Sequence, residues 1–144
     1  MKALTLWQPW ASMIAFGEKR IETRCWSTKH RGLLAIHAAA KLPPNWLGSS
    51  RHSEIFNNEL ADVLNVKRDA VSMAVRKLPY ASVLCIVKIV DIECTSHVRE
   101  ILCQREQIFG NYEDGRYAWF MEMVECFETP IPAKGNRLLW NWIR

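Results

Sequence analysis

Three long apolar runs constrain the fold of this chain more than any other feature of its sequence. They cover residues 33–39, 82–93 and 117–127. The second run is rich in the β-branched residues that strands favour, and the first is almost continuously apolar, which is typical of a strand buried on both faces. Shorter strands are predicted at residues 3–6 and 20–26. The sequence therefore predicts a sheet of several strands.

The pattern changes between the first two apolar runs. From Asn45 to about residue 78, apolar side chains recur at helical spacing, and the segment is too long for a plain loop. We therefore expect a helical insertion around residues 45–78 that packs on the sheet. A short helix is predicted to begin at Pro9 and to end at Gly17. Another is predicted at residues 98–107, with Ser96 as its N-cap.

Several strands with a few short helices predict an α+β protein with a barrel-like core. The chain has 144 residues, enough to bury a sizeable core, and we expect residues 1–144 to form one domain. Its 49% of apolar and 24% of charged residues are ordinary for a globular protein. Since no apolar run approaches the ~20 residues that span a bilayer, we expect no membrane association.

A cluster of charges follows the first predicted helix. Residues 17–24 read Gly-Glu-Lys-Arg-Ile-Glu-Thr-Arg, which is G-x-K-x-x-E-x-R. If a strand begins at Arg20, then Arg20, Glu22 and Arg24 project from one face, and Lys19 lies at the mouth where the loop enters the strand. A carboxylate among cations is costly to bury, so the pattern indicates a site that holds a polar ligand. The alternative is an ion pair that only fixes the strand.

This motif and its neighbours resemble the ASCH domain family (activating signal cointegrator homology), part of the PUA-like superfamily of small RNA-associated β-barrels. The resembling blocks are residues 4–12 (LTLWQPWAS), 31–39 (RGLLAIHAA), 115–119 (GRYAW) and 130–136 (PIPAKGN). The resemblance is weakest over residues 47–81. It implies a PUA-like pseudobarrel with a few short surrounding helices, and a cleft beside the charged motif that binds RNA.

Ten residues make up the binding cleft that the resemblance and the residue types predict. They are Gln8, Pro9, Trp10, Lys19, Glu22, Arg24, Trp26, Lys41, Arg116 and Tyr117. Cations would neutralise phosphates, Glu22 would accept a hydrogen bond from the exocyclic amine of a base, and an aromatic ring would stack on that base. The net charge of +4 suits a polyanionic partner without demanding one. Plainer roles stay open: Gln8 as a capping side chain, Trp10 and Trp26 as core, and Lys41 as a strand-end charge.

Two other functions remain as alternatives. Some ASCH proteins are amidohydrolases that deacetylate N4-acetylcytidine, and ribonuclease activity also occurs in the family. The amidohydrolases have a threonine where this chain has Glu22, so their covalent route is lost, although Lys19 and Glu22 could still activate a water molecule as a catalytic pair. The third function is a protein interaction module. We expect RNA or nucleotide binding first, and hydrolysis of a modified nucleoside or of RNA second.

The cysteines indicate a reducing environment. There are five, without a C-x-x-C pair, and four of them have apolar neighbours in sequence, which predicts small buried thiols. Cys94 and His97 are three residues apart, but no second pair completes a zinc site. We therefore predict reduced thiols, a cytoplasmic protein, no metal and no cofactor.

Overall fold

Six strands form one mixed sheet, described here from a computed structural model for residues 1–44 and 54–144. The strands are β1 (Lys2–Leu6), β2 (Ile21–Arg24), β3 (Gly32–Ala38), β4 (Ser82–Cys94), β5 (Tyr117–Pro132) and β6 (Leu139–Asn141). Their order in the sheet is β2-β5-β4-β3-β1-β6. Strands β1 and β3 are parallel, and all other neighbours are antiparallel. The five predicted strands are all present, and β6 is an addition that the sequence did not reveal.

Short helices connect the strands of the sheet. They are α1 (Trp10–Ala15), α2 (Glu54–Leu64), a 3-10 turn (Arg68–Ala70), α3 (Val71–Arg76), α4 (Thr95–Val98) and α5 (Gln104–Phe109). Gly17 ends α1 as predicted, with a φ of +78° that glycine adopts readily. In the described ranges, no helix is long and apolar enough to cross a membrane.

The sheet curls, because its distant strands meet. Three strands separate β5 from β6 in the sheet order. The chain that follows β6 nevertheless returns to β5, where Arg144 donates two hydrogen bonds of 3.1 Å to the carboxylate of Glu125. Trp142 is buried in the same cluster that Phe127 packs against. A curled six-stranded sheet with short helices confirms the predicted α+β class and its barrel-like core.

Two apolar clusters hold the parts of the site together. The first fills the curl of the sheet, with Leu4, Ile36, Ile89 and Trp119 fully buried. The second lies among the helices, where α2 and α3 pack against α1 and α5. The helical insertion is therefore confirmed over residues 54–76 and packs against the helices beside the sheet. Of the remainder of the prediction, residues 77–78 lie just beyond the end of α3, and residues 45–53 lie outside the described residues.

The prediction of a single helix at residues 98–107 is wrong. Two shorter helices occur there, α4 and α5, and Ser96 lies inside α4 instead of capping it. Tertiary hydrogen bonds fix this start, since the buried Thr95 donates its hydroxyl to Glu113 O at 2.7 Å and its backbone N–H to Arg116 O at 3.0 Å. Local propensity yields to such contacts with the loop before β5, 18 to 21 residues away.

The prediction of four buried thiols is also wrong. All five cysteines are free, but only Cys85 is buried. Burial raises the pKa of its thiol to about 12. The other four lie at element ends or on the outer side of β5, where apolar sequence neighbours do not determine which way a side chain faces.

Candidate functional site

A cavity of about 370 Å³ opens beside β2. Its wall combines β2, the segment that joins β1 to α1, and the loop that follows α5. The residues that bear on its chemistry are Trp7, Trp10, Glu22, Arg24, Asn111 and Arg116. The volume lies in the range of small-molecule sites. We refer to it below as the Glu22 cavity.

Two tryptophans give this cavity flat apolar surface. Trp10 begins α1 and is fixed in place, because its indole Nε1 donates to Phe109 O at 3.0 Å and its ring centroid lies 6.0 Å from that of Phe56. Trp7 is different, since 47% of its surface is exposed. Trp7 is not among the ten predicted site residues. Strand alternation could have revealed it, because Leu4 and Leu6 of β1 face the core and the next residue must face away.

Glu22 lies in the wall of the cavity with an unusual environment for a carboxylate. It is buried opposite Trp119 in the β2–β5 ladder, and its Oε2 accepts no hydrogen bond from any described residue. Burial raises the pKa of Glu22 above its ordinary range, although the charges of Lys19, Arg24 and Arg116 act in the opposite direction. Glu22 therefore has an acceptor oxygen without a described donor, buried behind the wall that the residue lines.

The raised pKa of Glu22 has a consequence for stability. A carboxyl group whose pKa is higher in the folded state than in the unfolded chain costs stability as the pH rises above about 4.3. Substituting Glu22→Gln removes this titration, so the variant should gain stability relative to the parent between acid and neutral pH. Urea unfolding at several pH values measures the difference.

The control for this comparison is Glu128→Gln, at an exposed glutamate of β5, which should give no such trend. Lys19, Arg24, Arg116 and Glu106 are the charged groups that act on Glu22, and all stay unchanged in both variants. A parent that becomes relatively more stable than Glu22→Gln toward neutral pH would contradict the assignment.

Lys19 does not lie at the mouth of the cleft, and that prediction is wrong. Only 2% of its surface is exposed. Its ammonium group donates to Ile21 O and lies 3.9 Å from Glu106 Oε2. The chain turns inward here because the N–H groups of Glu18 and Lys19 both donate to Met13 O, at 3.0 and 3.2 Å. Lys19 lines a separate cavity of about 320 Å³ instead of the Glu22 cavity.

Two guanidinium groups stand at the rim of the Glu22 cavity. Arg24 lies over Trp26, with 5.5 Å between its Cζ and the ring centroid, a cation–π contact. Arg116 donates from Nε to Asn111 O at 3.1 Å and from Nη2 to Thr23 O at 3.2 Å. A guanidinium has five N–H donors, so both groups keep donors for a ligand while their positions are fixed.

The other predicted residues have structural surroundings. Gln8 is fully buried: its Oε1 accepts from Ser12 N–H at 3.0 Å and its Nε2 donates to Pro79 O at 2.6 Å. It therefore caps α1, the plainer role considered for it. Pro9 is buried beside it, and Lys41 is exposed just after β3. Of the ten predicted residues, the cavity brings together Trp10, Glu22, Arg24 and Arg116.

Trp26 and Tyr117 pack against the core cluster and do not line the cavity. Trp26 meets Trp119 edge to face, with 4.8 Å between their ring centroids. Within residues 1–44 and 54–144, no group of three or more His, Cys, Asp or Glu side chains is arranged to hold a metal ion. The cavity thus offers planar apolar surface, one carboxyl acceptor and two cations.

Comparisons with known proteins identify relatives over most of this chain. The family model for the ASCH domain matches residues 4–131. Activating signal cointegrator 1 of Homo sapiens is 55% identical over 138 residues, and that of Mus musculus is 52% identical over 138 residues. Each alignment covers 96% of this chain and 22% of the relative, so the chain spans about a fifth of the length of these proteins.

Proposed function

The chain belongs to the ASCH domain family, and on that premise we propose that it binds single-stranded RNA, or a nucleotide, in the Glu22 cavity. Its curled sheet with short helices is the PUA-like pseudobarrel of this family. RNA is the nucleic acid that we place first. A free nucleotide would use the same contacts with fewer phosphates.

One observation carries the proposal: the Glu22 cavity joins three kinds of group that a nucleotide needs. Trp7 presents an exposed ring on which a base can stack, a contact worth about 1–3 kcal/mol per base. Glu22 Oε2 has no donor among the described residues and would accept from the exocyclic amine of a base. Arg24 and Arg116 at the rim would neutralise the phosphates.

The binding should depend on salt through these arginines. The logarithm of the association constant for single-stranded RNA should fall against the logarithm of the salt concentration, with a slope of roughly −0.7 per phosphate neutralised. Arg24→Ala should make this slope shallower by roughly 0.7, the value for one phosphate contact. Fluorescence titrations of a short labelled RNA at several salt concentrations measure both slopes.

Arg68→Ala is the matched control, because Arg68 is an exposed arginine that does not line the Glu22 cavity. It should leave the slope at the value of the parent. If Arg24→Ala also leaves the slope unchanged, Arg24 does not contact phosphate. An affinity that does not depend on salt, or no affinity for RNA and nucleotides, would favour the interaction module.

Hydrolysis of a modified nucleoside or of RNA stands second. In support, a carboxyl group with a raised pKa suits a general base, and Glu22 lines the cavity. Against it, the Lys19 ammonium group, which would stabilise an oxyanion, is directed to Ile21 O and Glu106. We therefore expect slow or no release of cytidine when N4-acetylcytidine is incubated with the protein, and rapid release would reverse this order.

A further inference from the structure

A second concave surface lies next to the Glu22 cavity. It is an open, mostly apolar groove of about 860 Å³. Its lining comes from Thr5 of β1, His37 of β3, the two alanines after β3, and residues 132–137 that lead from β5 toward β6. We call it the 132–137 groove. The groove plays no part in the contacts described so far.

The two concave surfaces meet at the carboxyl end of β1. Thr5 lines the 132–137 groove, while the next two residues, Leu6 and Trp7, line the Glu22 cavity. Across the parallel pair, Ala39 of the groove donates its N–H to Leu6 O at 2.8 Å. Thr5 and Trp7 are two positions apart, so their side chains project to the same side of the chain, and a linear ligand that leaves the cavity past Trp7 would pass toward the groove.

The groove is positively charged. Lys134 and Arg137 are exposed and belong to its lining, and Lys41 directly follows Ala40, another lining residue. None of these three cations forms an ion pair with a described residue, and the described lining contains no carboxylate. Exposed arginines elsewhere do find carboxylates, for example Arg99 and Arg144. No described residue compensates the charge of the groove, which suits a polyanion.

The floor of the groove is held rigidly. His37 is 1% exposed and donates from Nε2 to Ala133 O at 2.9 Å, since a carbonyl oxygen can only accept. Gly135 lies so close that a Cβ there would come within 2.7 Å of His37 Nδ1 and 2.9 Å of Thr5 Oγ1. Trp140 completes the support by donating from Nε1 to that same Thr5 oxygen at 3.1 Å. Residues 133–137 therefore present their cations from a fixed segment, which lowers the entropic cost of binding.

We propose that the 132–137 groove holds the part of a single-stranded nucleic acid that flanks the nucleotide in the Glu22 cavity. The phosphates would lie at Lys134, Arg137 and Lys41, and the alanine and proline side chains of the groove would contact the flanking bases. This inference rests on the proposed function. It makes the ligand an extended strand of several nucleotides, because a mononucleotide in the cavity would leave the groove cations unused.

The test compares a mononucleotide with an oligonucleotide. The parent should bind an oligocytidylate of about 10 nucleotides more tightly than cytidine 5′-monophosphate, and with a steeper salt dependence. The double variant Lys134→Ala with Arg137→Ala should reduce the salt slope for the oligonucleotide by about 1.4, or two single-strand phosphates. Its affinity for the monophosphate should match that of the parent.

A second double variant, Lys67→Ala with Arg68→Ala, removes the same charge from exposed residues that line neither the cavity nor the groove. Its salt slope should equal that of the parent. If the groove variant keeps the full slope and affinity for the oligonucleotide, or if both double variants lose the same amount, the inference is overturned while the proposed function stands. If the parent binds neither ligand, the proposed function itself fails.

Discussion

Replacing Lys19 with methionine is expected to lower the free energy of unfolding by about 3–5 kcal/mol, the usual effect of removing one partner of a buried ion pair. The Lys19 ammonium group is buried between Ile21 O and Glu106, and its charge also favours the ionised form of Glu22. Methionine has a similar length, so the loss would come from charge more than from packing. Without the cation, Glu106 loses its ion-pair partner, and Glu22 keeps only the charges of Arg24 and Arg116.

Urea unfolding with linear extrapolation measures the effect. Adding Glu106→Gln to Lys19→Met should recover part of the loss, because the uncompensated carboxylate is then gone. Lys88→Met is the matched control, since Lys88 is exposed on β4 and surface substitutions change stability by about 0.5 kcal/mol or less. A Lys19→Met variant as stable as this control would show that the buried pair contributes nothing.

This buried pair also marks what the sequence could not predict. The partners Lys19 and Glu106 are 87 positions apart, and Glu106 additionally accepts from Arg20 N–H at 2.6 Å. The spacing of neighbouring residues contains no information on a contact between residues so far apart in sequence. Lys19 was therefore predicted to be a loop lysine at the mouth of a cleft. The motif was correctly read as a charged cluster, but the structure divides its side chains between two cavities.

Features encoded by local periodicity were predicted well. The apolar runs that became β3, β4 and β5 could be located because buried strands need continuous apolar sequence, and Gly17 ends α1 because glycine adopts a positive φ at low cost. The failures share a cause. The starts of α4 and α5 and the exposure of four cysteines depend on which surface each segment packs against, and a single sequence does not specify that.

Four of the ten predicted site residues line the Glu22 cavity, and this fraction has a physical reason. Glu22, Arg24 and Arg116 lie where β2 pairs with the start of β5. The charged motif on β2 and the residues that begin β5 are therefore neighbours in the sheet. Gln8 and Pro9 are close in sequence to residues that line the cavity, but both are buried at the start of α1, where Gln8 accepts a hydrogen bond from Ser12 N–H. Lys41 lies next to the 132–137 groove instead, where the proposal gives it a phosphate.

The second large effect concerns the exposed ring of Trp7. Substituting Trp7→Ala is expected to weaken the binding of a single-stranded oligonucleotide by about 5- to 150-fold, which corresponds to the loss of about 1–3 kcal/mol for one stacked base. The fold should tolerate the change, because almost half of the side chain is exposed. Trp7 is the ring to test, because it is the more exposed of the two tryptophans, whereas the indole of Trp10 is held by Phe109 O.

Phe16→Ala is the matched control, because Phe16 is also an exposed aromatic residue, at 53%, yet lines neither the Glu22 cavity nor the 132–137 groove. It should bind the oligonucleotide as the parent does, and Trp7→Phe should keep most of the affinity because a ring remains. Thermal unfolding of each variant verifies the fold before titration. If folded Trp7→Ala binds like Phe16→Ala, no base stacks on Trp7, and binding through the Glu22 cavity would rest on its charges alone.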